Sequence, residues 1–138
     1  SVRGISITAG FGGNISQGTS AVTVGSGNYS QAGGTFTGGS VAMTVNGDFS
    51  LSGGAFTSTS GTLSVSGSWS RTAGSFTHNS GAVSFTAASV GKTITAGSQT
   101  FSNLTFNGSG GGWALQDALS VANALTVTSG TLNANNQN

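Results

Sequence analysis

Apolar and hydroxyl residues alternate along this chain in triplets that return every 20 or 21 positions. The triplets are Val22-Thr23-Val24, Met43-Thr44-Val45, Leu63-Ser64-Val65, Val83-Ser84-Phe85, Leu104-Thr105-Phe106 and Leu125-Thr126-Val127. Their central hydroxyl residues lie 21, 20, 20, 21 and 21 positions apart, and Ile5-Ser6-Ile7 reads as an irregular earlier copy. Two aromatic series keep the same beat. Tyr29, Phe49 and Trp69 each follow a glycine at a fixed offset, and Phe36, Phe56 and Phe76 are each trailed by a threonine. Ile15 fits the second series one unit earlier. Toward the end the pattern loosens. Val90, Trp113 and Leu132 are read as continuing the Tyr29 series, and Ile94 and Leu119 the Phe36 series.

Period-2 alternation over three or four residues, bounded by Gly, Ser or Asn, predicts short β-strands, three to a unit. Helix is excluded by the shortness of the segments, the frequency of glycine and the absence of a 3.6-residue apolar face. A three-strand unit of about 20 residues cannot bury its own apolar face, but stacked units can. The expectation is therefore an all-β fold, a parallel β-solenoid of six to seven coils, roughly 30 Å tall at strand spacing. It forms one domain over residues 1–138, with regular coils over about 12–106 and looser coils over 107–138. Tyr29, Phe49, Trp69, Phe36, Phe56, Phe76, Met43, Leu63, Val83, Leu104 and Leu125 are expected in the core. Thr23, Thr44, Ser64, Ser84, Thr105 and Thr126 are expected to form a hydroxyl ladder outside. An antiparallel sandwich or barrel also has short strands and Gly-rich turns, but its strands need not repeat at three positions at once.

Composition narrows the function. Only 4% of residues are charged, against about 25% in an ordinary soluble domain. There are 25 Gly, no Pro and no Cys, and about a third of the chain is Ser or Thr. The regular aromatic and β-branched positions separate this chain from a disordered Gly/Ser tract. Without a basic patch, phosphate-driven nucleic-acid binding has no footing. Cysteine chemistry is excluded, and no apolar run reaches the length of a membrane span. No basic and apolar leader pattern marks a signal peptide.

Each chemical motif meets a simpler explanation. Asp48 and Asp117 are the only carboxylates on side chains, about three coils apart and so roughly 14 Å by coil rise. Cooperating carboxylate pairs lie within about 9.5 Å. His78 is the only histidine and reads as a turn residue after Phe76. Calcium-binding solenoids use recurrent Asp, whereas these turns carry Ser, Thr and Asn. The glycines at 108, 110, 111 and 112 lack the Lys-Ser/Thr of a phosphate loop. No catalytic residue, metal or cofactor is expected. Asn14-Ile15-Ser16, Asn28-Tyr29-Ser30, Asn103-Leu104-Thr105 and Asn107-Gly108-Ser109 match the glycan acceptor pattern, as chance alone provides in such a composition.

The run from Gly27-Asn28-Tyr29-Ser30 through Phe85 resembles the β-strand repeats of very large bacterial surface and secreted proteins. Thr100-Phe101-Ser102-Asn103-Leu104-Thr105-Phe106-Asn107-Gly108 and Ala118-Leu119-Ser120-Val121 continue the likeness. Such proteins include autotransporter passengers and filamentous-haemagglutinin-like adhesins. The resemblance covers most of the chain and is one of repeat style. It implies an extracellular right-handed β-helix serving as stalk, adhesin or fibre, and it brings no functional motif. A charge-poor solenoid without capping repeats leaves strand edges at both ends. The expected partner is therefore a further copy stacked head to tail, or more repeats of a longer chain, with surface glycans as additional ligands. The second expectation is a binding face for carbohydrate or ice. The Thr37/Thr57/Thr77 series suggests such a face, although Thr35-Phe36-Thr37 is its only complete Thr-x-Thr.

Overall fold

The computed structural model describes residues 1–137 and contains no helix. In chain order its strands are β1 (Ile5–Ile7), β2 (Asn14–Ser16), β3 (Val22–Val24), β4 (Tyr29–Gln31), β5 (Thr35–Thr37), β6 (Met43–Val45), β7 (Phe49–Thr57), β8 (Thr62–Val65), β9 (Trp69–Thr77), β10 (Ala82–Phe85), β11 (Lys92–Thr95), β12 (Thr100–Phe101), β13 (Asn103–Leu115), β14 (Ser120–Val121) and β15 (Leu125–Asn133). Every pairing is parallel, and the stack is a β-solenoid of about 6 turns.

The coils have three faces. Face A runs through β3, β6, β8, β10 and the first parts of β13 and β15. Face B runs through β1, β4, the first halves of β7 and β9, then β11 and the later part of β13. Face C runs through β2, β5 and the second halves of β7 and β9. It continues in β12 and β14, where Phe101 packs on Phe76 at 5.6 Å between ring centres and pairs with Val121. Three separate strands per coil are not kept throughout. β7 and β9 each bend through faces B and C without a break, and β13 and β15 do the same through A and B.

Alternation explains the core. In register, Tyr29, Phe49 and Trp69 stack with nearly parallel rings at 5.0 and 4.0 Å. Phe36, Phe56 and Phe76 stack likewise at 4.9 and 6.0 Å. The two columns meet edge to face, as at Phe49–Phe56 and Trp69–Phe76. Both arrangements suit the quadrupole of aromatic rings and add about 0.5–1.5 kcal/mol per pair beyond burial. Met43, Leu63, Val83 and Leu104 are buried in the face A column.

The corner between faces B and C requires glycine. Gly34, Gly54 and Gly74 have φ of 62, 74 and 74°, and a Cβ on Gly54 would lie 2.4 Å from the Gly34 carbonyl oxygen. Left-handed φ costs a residue bearing Cβ about 1–2 kcal/mol before any clash is counted. Gly54→Ala is therefore expected to lower stability by more than 2 kcal/mol, about the upper end of that penalty. Urea denaturation beside a Gly12→Ala control, where the added Cβ meets nothing within 4 Å, checks this.

The tail departs from the sequence expectation. Val90 is 73% exposed on a corner, and Ile94 takes its place against Trp69, followed by Leu115. Trp113 pairs with Lys92 and Leu132 with Trp113, two positions before the Tyr29 row. Phe101 and Val121, rather than Ile94 and Leu119, continue the Phe36 column. The cause is a transfer of residues between corners. Three residues separate Val65 from Trp69, but eight separate Phe85 from Ile94. Eight separate Phe76 from Phe85, but four separate Phe101 from Phe106. Coil length, and hence the face A beat, survives while the A–B corner widens and the C–A corner tightens. Leu125, expected in the core, is 50% exposed, because it lies on the outermost strand of face A with no coil over it.

Candidate functional site

The polar side chains stitch coils together. Gln17 reaches from the C–A corner to the carbonyls of Ser20, Val41 and Ala42, and its Oε1 accepts from the Gly39 N–H at 3.1 Å. Thr59 occupies the same corner two coils on, donating to the Gly39 and Val41 carbonyls and accepting from the Gly61 N–H. Gln31 is fully buried. Its Nε2 donates to the carbonyls of Gly33, Gly34 and Ala55, while its Oε1 accepts from the Tyr29 hydroxyl at 2.7 Å. Burial pushes the Tyr29 phenol well above the ordinary tyrosine range. The protonated phenol is the form the fold favours, so stability is lost as pH rises past that ordinary range.

The few charges serve the backbone too. Asp48 accepts the Ser68 N–H at 2.7 Å and donates its own N–H to Asn28 Oδ1 at 2.9 Å, one coil on either side. Asp117 accepts the N–H groups of Ala96 and Gly97 at 2.7 and 2.6 Å, and Arg71 donates to the carbonyls of Gly74 and Gly97. Arg71, Gly97 and Asp117 thus clamp three successive coils at the corner between faces B and C. His78 Nδ1 accepts the Ser80 N–H at 2.9 Å, closing a turn. Among the described residues no three His, Cys, Asp or Glu side chains converge on a metal-sized space. Asp117→Ala is expected to remove about 1.5–3 kcal/mol, the range for hydrogen bonds to charged groups. Hydrogen exchange of the Ala96 and Gly97 amides checks it, and the Ile7 amide at the far end should be unchanged.

Sequence reasoning passed over Gln31 and Arg71, although the 20-residue beat aligns both with buried Leu51. A polar residue in an apolar register position was the available signal.

Two surfaces remain for interaction. On the first, Thr23, Thr44, Ser64, Ser84, Thr105 and Thr126 lie in one continuous row down face A. Arg3, Asp48, Arg71, Lys92 and Asp117 all fall on face B or its two corners, so faces A and C carry no charged side chain. The second surface is the pair of stack edges. β1 pairs only with β4, β2 only with β5, β14 only with β12, and β15 only with β13. Leu125 and Val127 are 50% and 49% exposed, whereas Leu104 and Phe106 directly beneath them are 0% exposed. Val2 is 48% exposed at the opposite edge, beside a shallow depression of about 140 Å³ lined by Ser1, Val2, Ala21, Val22 and Thr23.

Comparison with known proteins gives no matching family, no matching curated sequence and no matching solved structure.

Proposed function

We propose that this chain is a non-catalytic structural module of an extracellular filament or cell-surface adhesin, extended by stacking further β-solenoid coils on its open edges. The observation that carries this reading is the exposure of inward-pointing Leu125 and Val127 on a strand paired along one edge alone, above equivalents that are completely covered. A strand with one open edge is a template for another, and a head-to-tail contact that does not close lets such growth continue as a filament. The near absence of charge removes the usual deterrent to edge pairing. The extracellular setting rests on the repeat style shared with bacterial surface proteins.

Electron microscopy of the isolated protein tests the reading. Filaments whose power spectra show a repeat of about 4.8 Å along the axis are the expected result. Dispersed particles at high concentration would overturn it. The hydroxyl row of face A, with no charged side chain beside it, favours a second reading, a carbohydrate- or ice-binding face. Glycan-array binding or thermal hysteresis by dispersed particles, abolished in Thr44→Lys, would establish that reading instead.

A further inference from the structure

An asparagine side chain meets the next main-chain nitrogen most readily when glycine follows. Glycine sets no Cβ beside that nitrogen and lets the chain take turn conformations. The chain has two such pairs, Asn46-Gly47 and Asn107-Gly108, and the fold treats them differently. We propose that Asn46 is a site of spontaneous covalent modification in the folded protein, its carboxamide converting to a carboxylate, while the stack protects Asn107.

Asn46 follows the last residue of β6, at the start of the A–B corner. Its own N–H is fixed, donating to the Val24 carbonyl at 3.0 Å. Its side chain is exposed and, among the described residues, has no hydrogen-bond partner, and neither has the Gly47 N–H. The neighbours in its row do not hold it. Gly25 has no side chain, and the Ser66 hydroxyl pairs with Thr86 at 3.0 Å. Asn107 instead lies within β13, and its Oδ1 accepts the Ser129 hydroxyl at 3.2 Å. Gly108 is buried, and a Cβ there would overlap the Ala87 carbonyl oxygen, so its main chain is pressed against the preceding coil. The Gly108 nitrogen has no room to swing toward the Asn107 side chain.

The step needs only the dipeptide and water. The Gly47 nitrogen gives up its proton and attacks Cγ of Asn46. A C–N bond forms to close a cyclic imide, the bond from Cγ to the side-chain nitrogen breaks, and ammonia leaves carrying a proton. Water then opens the imide at one carbonyl or the other, leaving aspartate or isoaspartate at position 46. Because the attacking nitrogen must lose its proton, the conversion quickens as pH rises. The two products differ in their fit. Isoaspartate threads an added methylene into the main chain, where Gly47 is packed between Gly27 and Gly67, and a Cβ on Gly67 would lie 2.6 Å from the Gly47 carbonyl. That corner has no slack, so isoaspartate is expected to loosen β6 and β7, whereas an exposed aspartate leaves them in place. Either product adds one negative charge to a formal net charge of +1 and brings it to 0.

The test is incubation of the folded protein in mildly alkaline buffer made with oxygen-18 water, followed by isoelectric focusing and peptide sequencing by mass spectrometry. The expected result is a growing acidic isoform, shifted by one charge, with the label incorporated at position 46 in both aspartate and isoaspartate, and with Asn107 intact. In urea the two asparagines are expected to convert at similar rates, which would show that the fold and not the dipeptide protects Asn107. Asn46→Gln, an exposed substitution whose longer side chain closes a ring far more slowly, is expected to lose the acidic isoform. Conversion of Asn46 in urea but not in the folded chain would overturn the proposal. Equal conversion of both asparagines in the folded chain, or an acidic isoform that persists in Asn46→Gln, would overturn it as well.

Discussion

Trp69→Ala is expected to lose about 3–5 kcal/mol, the range for removing a buried Trp or Phe ring, more than any other single truncation in the chain. Trp69 joins what the repeat break separates. It stacks on Phe49 at 4.0 Å and meets Phe76, Phe85 and Phe101 edge to face, so one ring touches both aromatic columns and the first coil of the altered half. Its indole N–H is buried with no partner. Trp69→Phe therefore forfeits no hydrogen bond, keeps the stack, and is expected to cost less than half as much. Urea denaturation followed by circular dichroism measures both, and in either variant Trp113 is the sole remaining indole. Its fluorescence should report an earlier loss of the C-terminal coils in Trp69→Ala, since solenoid coils are stabilised by nearest neighbours. Equal losses in the two variants would show that ring stacking contributes little.

The second large effect concerns assembly. Leu125→Lys combined with Val127→Lys is expected to abolish filaments while leaving the isolated stack nearly as stable as before. Both residues are half exposed at the edge, and surface substitutions usually shift stability by about 0.5 kcal/mol or less. In a filament the same positions would be covered like Leu104 and Phe106, and an unpaired buried charge costs several kcal/mol. Two such charges should raise the concentration needed for assembly more than about 100-fold, equivalent to 2.7 kcal/mol or more. Thr126→Lys, pointing outward between them, should assemble normally at moderate salt. Pelleting assays across a concentration series measure all three. Unchanged assembly of the double variant would show that growth does not pass through this edge.

The regular part of the fold was legible because its signal is redundant. Phe36, Phe56 and Phe76 repeat at one spacing, their neighbours alternate, and parallel stacking is the arrangement that buries all of them. Val90 shows where that reasoning ends. It falls where the beat of Tyr29, Phe49 and Trp69 would continue, and it is apolar, yet it stands on an exposed corner. The face A triplets keep their spacing through this region, so they gave no warning that residues had moved from one corner to another. Only the exchange of Ile94 and Phe101 between columns reveals it, and that depends on which corner can absorb Ala87-Ala88-Ser89-Val90-Gly91, a matter of three-dimensional closure. Leu125 was misplaced for a different reason. Periodicity identifies the inward side of a strand but not whether anything lies above it. The candidate surfaces were less legible than the core, since a hydroxyl row is visible in sequence whereas the gathering of five charges around one face appears only once the coil is closed.

The shift of residues between corners at 86–101 also bears on how the chain winds up. In a perfectly periodic stack, a segment that slips by one whole coil finds every inward residue facing inward again, so the error costs little and corrects slowly. Here such a slip would carry the wide A–B corner onto a tight one, so the two coils could not close alike. The irregularity acts as a notch on an otherwise uniform ratchet. Winding that begins at either end has one way to pass it, and a coil lost or gained on the way is exposed as a mismatch at this point.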